Sequence, residues 1–432
     1  MGTAAEKLNY LLETKEAIKG AIEAKGVSVA DSDTFRSYAD KIGQIQSGGG
    51  GDTPSKPTWT GHADAEGLRA IGWTDEDIAY YQENGVNWNE EDDQYHLVSD
   101  DNKALYGVLT ANNISTYKDR IVYLPKIDTS SKTSMSSMFS NCNSLVAIPL
   151  LDTAKVTDMS NMFYNCYLLV SIPPLDTSKV TKMPSMFYYC YSLVSIPQLN
   201  TSKVTNMGSM FYSCYSLMSI PQLDTKNVTS MGYMFYGCYS LMSIPQLDTV
   251  NVMSMDRMFY LCVALVSIPQ LDTANVTNMN SMFYSCISLV SIPQLDTVNV
   301  TNMGSMFYNC ISLVSIPPLN TPKVTNMYDM FYYCVALVSV PQLDMRVCTN
   351  KATIFNYCYS LVTANLGQLV QATKITYSSF LSKESLLYII NNEAATSAIT
   401  ITLAKYAYTR WAADSDIAAA LANHPNITLA SA

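Results

Sequence analysis

LDTANVTNMNSMFYSCISLVSIPQ (Leu271–Gln294) is followed without a gap by its near-copy LDTVNVTNMGSMFYNCISLVSIPP (Leu295–Pro318). The pattern runs through residues 127–366 in ten copies with a period of 24. Cysteine stands at 142, 166, 190, 214, 238, 262, 286, 310, 334 and 358, and proline at every 24th residue from Pro125 to Pro341. One copy is too short to enclose its own apolar residues. Each is therefore read as one coil of a solenoid, and stacking the coils builds a continuous core.

Within a coil, Val276, Met279, Met282, Phe283, Cys286, Leu289, Ile292 and Leu295 keep their identity from copy to copy and are expected to point inward. Leu289–Ile292 reads as a short strand closed by Pro293, which has no amide to give to a ladder. Stacked at about 4.8 Å, these strands would form a parallel sheet, and ten coils a rod of roughly 45–50 Å. Met279, Met282 and Phe283 have a helix-like spacing within Asn278–Tyr284. Asp272-Thr273 marks the turn, where short side chains can accept backbone N–H groups.

The F-x-x-C-x-x-L-x-x-I-P core, preceded by V-T-N-M, resembles the BspA-type leucine-rich repeat of bacterial surface proteins over about 240 of 432 residues. Met282 departs from it, standing where many members carry Ala. The resemblance implies an α+β leucine-rich-repeat solenoid that binds surfaces and ligands and does no catalysis.

Charged residues make up 14% of the chain and its net charge is −10, a balance opposed to nucleic-acid binding. No apolar run reaches the ~18 residues of a membrane helix, so no membrane insertion is expected. MGTAAEKLNYLLETKEAIKG has charges throughout and does not read as a secretory signal. The cysteine ladder is expected to be buried and unpaired, because side chains parallel along a rod do not converge.

The remaining chain divides by composition. Residues 1–46 read as a helical anchor or oligomerisation segment, with Leu8, Leu11, Leu12, Ile18 and Ile22 in one stripe and Phe35, Tyr38 and Ile42 in another. Stripes this short need a partner: copies of themselves, another protein or the next domain. Residues 47–57 are a Gly/Pro linker. Residues 58–126 read as a small adaptor and cap, with helices over 63–71 and 74–84 and an acidic turn at Glu90–Asp93. Residues 367–432 read as a C-terminal cap, with helices at Lys383–Asn391 and Ile417–Asn423 and β-rich runs at Ile399–Leu403 and Ile427–Leu429. The N-terminal phrase LNYLLETKEAIKGAIEAKGVSVADSDTFRSYADKIGQI resembles the leader of bacteriophage tail-fibre and virion structural proteins. The tail LSKESLLYIINN…NITLAS is similar to endings of repeat proteins of gut Bacteroidales bacteria and their phages.

No catalytic constellation stands out. Three histidines (His62, His96, His424) lie outside the repeats, and the repeat aspartates give way to Asn200 and Asn320, a swap that suits a turn acceptor better than a catalytic acid. No cofactor or metal is expected. The informative positions are those that vary while the core stays fixed: pairs such as Gly232-Tyr233, Asp256-Arg257 and Tyr328-Asp329, and the residue before each cysteine. A Gly-to-Tyr change would disrupt a core, so these positions are expected to be exposed. Tyr189, Tyr233, Arg257, Tyr328, Tyr333 and Tyr357 are the candidate ligand-binding anchors, weighed against plain surface drift. The separate ladder Tyr164–Tyr332 reads as structural stacking. The expectation is a non-enzymatic virion fibre or appendage protein, homotrimeric, joined to other virion proteins by its N-terminus and to host-surface polysaccharide or protein by its solenoid. The alternatives are a BspA-like adhesin on the bacterial surface and an interaction scaffold.

Overall fold

The computed structural model describes the backbone of residues 86–89, 94–98 and 104–108, the residues Ile114 and Lys118, and all of 127–432. The chain forms two compact units, 1–109 and 110–432. In the first, β1 (Val86–Asn89), β2 (Gln94–Val98) and β3 (Ala104–Val108) make an antiparallel sheet in that order. Val86 pairs with Leu97 and Trp88 with Tyr95. The anchor residues Leu8, Leu11, Leu12, Ile18, Ile22, Phe35, Tyr38 and Ile42, the linker and the helices expected over 63–71 and 74–84 lie outside the described residues.

In the second unit the coils are held together at Asn278–Ser285 and its equivalents, where backbone amides alternate in direction. Met279, Ser281, Phe283 and Ser285 donate to the next coil, to Asn302, Gly304, Met306 and Tyr308, at 2.7–3.0 Å. Met282, Tyr284 and Cys286 donate back three residues within their own coil. The segment is thus a run of overlapping turns and not the helix its spacing suggested. Ser281 (φ 53°) and Ser285 (φ 55°) take left-handed φ at the third position of their turns, as a type II turn requires. Each interrupts a right-handed helix before it can propagate. Every coil repeats this pair of left-handed residues, and only Gly237 among them is a glycine. A side chain there costs about 1 kcal/mol, offset by the inter-coil bonds it permits.

The strand expected over Leu289–Ile292 is also corrected. Each coil makes little more than one bond there, such as Val290 N to Val266 O at 3.3 Å. Paired strands form only at the last step, where β4 (Ser339–Asp344) meets β5 (Thr363–Gly367) in parallel, with an irregularity between Val340 and Leu343. The recurring proline withholds its amide at every level, so the ladder runs through the turns instead.

The core is as the repeat implied. Val276, Met279, Met282, Phe283, Cys286 and Leu289 are fully buried, and the phenylalanines from Phe139 to Phe355 stack with centroids 5.4–5.6 Å apart. All eleven cysteines are buried thiols, outside any disulfide. Each ladder thiol from Cys166 to Cys358 donates to the phenylalanine carbonyl of the preceding coil, as Cys286 Sγ does to Phe259 O at 3.1 Å. Burial pushes these thiols well above their ordinary pKa. Native protein is therefore expected to resist iodoacetamide at pH 8, while denatured protein gains up to eleven carbamidomethyl groups by mass. Rapid native labelling of several ladder cysteines would contradict this packing.

At the turns, Asp272 Oδ1 accepts the Ala274 amide at 3.1 Å, and Thr273 Oγ1 donates to Asp296 O in the next coil at 2.8 Å. Beyond the last coil come β6 (Thr373–Ile375), α1 (Lys383–Asn391), β7 (Ile399–Leu403), α2 (Lys405–Trp411), α3 (Ser415–Asn423) and β8 (Ile427–Ser431). Ser382 caps α1 and Asp414 caps α3. β6, β7 and β8 form a parallel sheet in that order. This module docks on the final coil: Ser382 N donates to Val362 O at 2.8 Å, Ala364 N to Ser385 Oγ at 2.8 Å and Ser378 Oγ to Cys358 O at 3.2 Å. Lys351 replaces the ladder methionine here and is buried; its Nζ donates to Gln371 Oε1 at 3.4 Å, and burial holds its pKa below the usual lysine value.

Candidate recognition surface

Two surfaces of the solenoid are long enough to hold a ligand. One is a groove of about 1130 Å³ along the turns, lined by residues such as Gln270, Leu271, Asp272 and Thr273. Most of its polar groups are already engaged. Gln270 Nε2 donates to Leu271 O and to Gln294 O (2.6 Å), the aspartates hold turn amides and the threonines bridge coils. The lining also barely changes from coil to coil. This is the solenoid's own stitching.

The other surface is the face of the turn ladder. Tyr164, Tyr188, Tyr212, Tyr236, Tyr260, Tyr284, Tyr308 and Tyr332 stack with centroids 4.3–4.7 Å apart and planes within 12°. Tyr167, Tyr191, Tyr215 and Tyr239 form a shorter stack beside them, at 4.5–5.0 Å. Such parallel stacks cover their own ring faces and leave edges and hydroxyls outward.

The candidate anchors fall on this face, in unequal settings. Tyr189 wedges edge-on against Tyr188 (4.4 Å) and Tyr212 (5.5 Å). Arg257 is tied down: Nη1 donates to Tyr233 Oη (2.6 Å) and to Asp256 Oδ2 (2.9 Å), with its guanidinium 5.3 Å from the Tyr233 ring. Tyr328 and Tyr333 are 44% and 43% exposed, and Tyr357 is half-buried. The expected exposure of every variable position does not hold, because Ser213, Gly237, Ser281, Ser285, Gly304 and Asp329 are buried. These positions tolerate change for a backbone reason as well. What the left-handed positions share is a turn geometry, and small residues pack under their neighbours while large ones reach solvent. Tyr359 (48% exposed) and Tyr377 join the aromatic surface without having been singled out. Tyr359 occupies the Tyr167–Tyr239 column one coil past its breaks at Val263, Ile287, Ile311 and Val335, and could have been found by that spacing.

Burial pushes the Tyr191 and Tyr332 phenols up to about 12 and raises Tyr260 and Tyr308. Phenols with raised native pKa bind protons more tightly than in the unfolded chain, whose tyrosines titrate near 10. Their contribution is complete below about pH 10 and is lost as pH climbs towards 12. The expected outcome is a melting temperature that falls steeply between pH 10 and 12, with tyrosinate absorbance rising late and together with unfolding. Early titration of the stacked tyrosines with the fold intact would contradict it.

Coils of 24 residues stacked on a single continuous core make this a leucine-rich-repeat solenoid protein. The chain belongs to the family described as "Mycoplasma protein of unknown function, DUF285", which matches over residues 115–192, 133–245, 169–268, 239–343 and 263–368. No curated protein matches it. Similar solved structures include a leucine-rich-repeat protein of T. pallidum (22% identity, 44% of this chain and 77% of that one, TM-score 0.26). Others are a leucine-rich-repeat protein of Eubacterium ventriosum (16%, 63% and 88%, 0.35) and an internalin of Listeria monocytogenes (15%, 75% and 89%, 0.28). The solenoid assignment rests on the repeat and its backbone ladder, not on these overlays.

Proposed function

We propose that this chain is a non-catalytic recognition protein, carried on a bacteriophage particle as a fibre or appendage, that uses its tyrosine face to bind a bacterial surface. The observation that carries the recognition reading is the contrast within each coil: core residues are held constant while the face above them changes among Tyr, Ser, Asn and Gly. That composition is the one used by binding loops, in which rigid aromatic rings are combined with adaptable small polar groups. Attachment to a particle is supported by the phage-like leader within residues 1–46, whose apolar stripes need a partner. The repeat's resemblance to that of BspA-type bacterial surface proteins, beside a family described from Mycoplasma, favours a second reading, an adhesin on the bacterial surface.

Mass in solution, for the full chain and for one lacking residues 1–56, tests the assembly. The fibre reading expects a trimer that becomes a monomer on truncation. Two monomers would remove the trimeric fibre and favour the adhesin.

A further inference from the structure

The parallel tyrosine stack ends at Tyr332. One period later the chain has Asn356 in place of a ring. The next aromatic, Tyr357, stands at 76° to Tyr332 with centroids 5.2 Å apart. Around Tyr357 gather Tyr333 (5.6 Å, 59°), Tyr359 (6.2 Å, 64°) and Tyr377 (4.3 Å, 35°), with Tyr359 and Tyr377 at 84° to each other. Three structural contributions meet here: the ninth coil, the tenth coil and the C-terminal module. Tilted rings no longer cover one another fully, and Tyr333 and Tyr359 are 43% and 48% exposed. Tyr189 also stands tilted, at 51–79° to Tyr164, Tyr188, Tyr191 and Tyr212, but it is half-buried among them, whereas here two of the four rings are exposed.

We propose that this tilted cluster of Tyr333, Tyr357, Tyr359 and Tyr377 is the binding site, and that its ligand is an uncharged polysaccharide whose pyranose rings lie on the exposed tyrosine faces. The assignment deepens, and rests on, the recognition reading above. A pyranose presents a flat C–H face with hydroxyls around its rim, which matches a tyrosine ring carrying a phenol at its edge. The four cluster side chains are phenols, with no carboxylate, ammonium or guanidinium among them. Asp329, whose field reaches Tyr332, is buried and hydrogen-bonded by Thr353. An anionic polymer would find no cation among these rings and a chain of net charge −10.

The test is affinity electrophoresis of the full chain through gels containing an uncharged glucan, mannan, galactan or chitosan-free soluble chitin oligomer, with alginate as the anionic comparison and poly-L-proline as the peptide comparison. The site predicts retardation by at least one uncharged glycan and none by alginate. Tyr359→Ala should weaken that retardation at least ten-fold, and Tyr359→Trp should preserve it. Because Tyr359 is exposed, its variants should keep the native melting temperature, and Tyr333→Ala serves as a second surface variant. If Tyr189→Ser with Tyr233→Ser abolishes binding while Tyr359→Ala and Tyr333→Ala do not, the cluster is overturned but the recognition face stands. Preferential retardation by alginate or poly-L-proline overturns the ligand class. No retardation by any of the glycans overturns the proposal, and cell binding that survives it leaves only the broader reading.

Discussion

Phe235→Ala is expected to destabilise the solenoid by about 3–5 kcal/mol, the range for emptying a packed aromatic site. Phe235 is fully buried and stacks at 5.6 Å on Phe211 and on Phe259. The coils above and below are both held by the turn ladder, so collapse around the cavity is restricted. A solenoid's stability is a sum of coil and neighbour terms, and a central lesion weakens two interfaces at once. Denaturant unfolding should therefore shift to lower concentration and broaden or split as the two halves lose their coupling. Phe139→Ala is the comparison. Among the described residues its ring stacks on Phe163 alone, so the loss should be smaller and the transition should stay single. Equal effects at the two positions would mean that the ring stack does not carry the coupling.

Proline placed at two adjacent residues should destabilise to very different extents. Ser281 has φ 53° and donates to Gly304 O at 2.8 Å. Proline fixes φ near −65° and has no N–H, so Ser281→Pro is expected to cost about 3 kcal/mol or more and to break the ladder locally. The Asn280 backbone N–H, by contrast, bonds only within its turn, to Asn278 Oδ1 at 3.0 Å, although its side-chain amide also donates across coils to Asp256 Oδ1 at 3.1 Å. The chain already shows the exchange one can make there. At the equivalent of residue 280 the third coil carries Pro184, and at the equivalent of Asn278 it carries Lys182, so the amide and its side-chain acceptor disappear together. Asn280→Pro, which loses one bond within its turn and one side-chain bond to Asp256, should therefore cost about 1–2 kcal/mol. Circular dichroism melting of the two variants checks the pair. Similar losses would show that the alternation of amide direction is not what joins the coils.

The repeat made the core legible because burial leaves a period: Val276, Met279, Met282, Phe283 and Cys286 recur unchanged and all are buried. The helix at Lys383–Asn391 and the strand at Ile399–Leu403 were equally readable. The turn ladder was not. Methionine and phenylalanine spaced three and four apart are what a helix would show, and the asparagine or glycine at left-handed positions 141, 161, 165, 237 and 309 is masked by Ser, Tyr, Arg, Leu, Asp and Thr at the equivalents in other coils. β1, β2 and β3 were missed because Val-Asn-Trp-Asn and Gln-Tyr-His-Leu-Val are short and flank an acidic run that reads as a loop. On the face, variability pointed to Tyr328, Tyr333 and Tyr357. Tyr377 lies outside the repeat, where periodicity gives no handle, and only the docking of the C-terminal module brings it to Tyr357.

Binding to whole bacterial cells is the measurement that bears most directly on the tyrosine face as a recognition surface. Cells of a panel of gut bacteria would be incubated with the native chain and with a chain carrying Ser at Tyr189, Tyr233, Tyr328, Tyr333 and Tyr357. A Gln246→Ala, Gln270→Ala variant of the groove serves as control, and the cell-bound fraction of each would be read. The expected result is at least a ten-fold loss for the tyrosine variant at unchanged circular dichroism, with the groove variant binding as the native chain does. Undiminished binding by the tyrosine variant, or loss confined to the groove variant, would contradict the account.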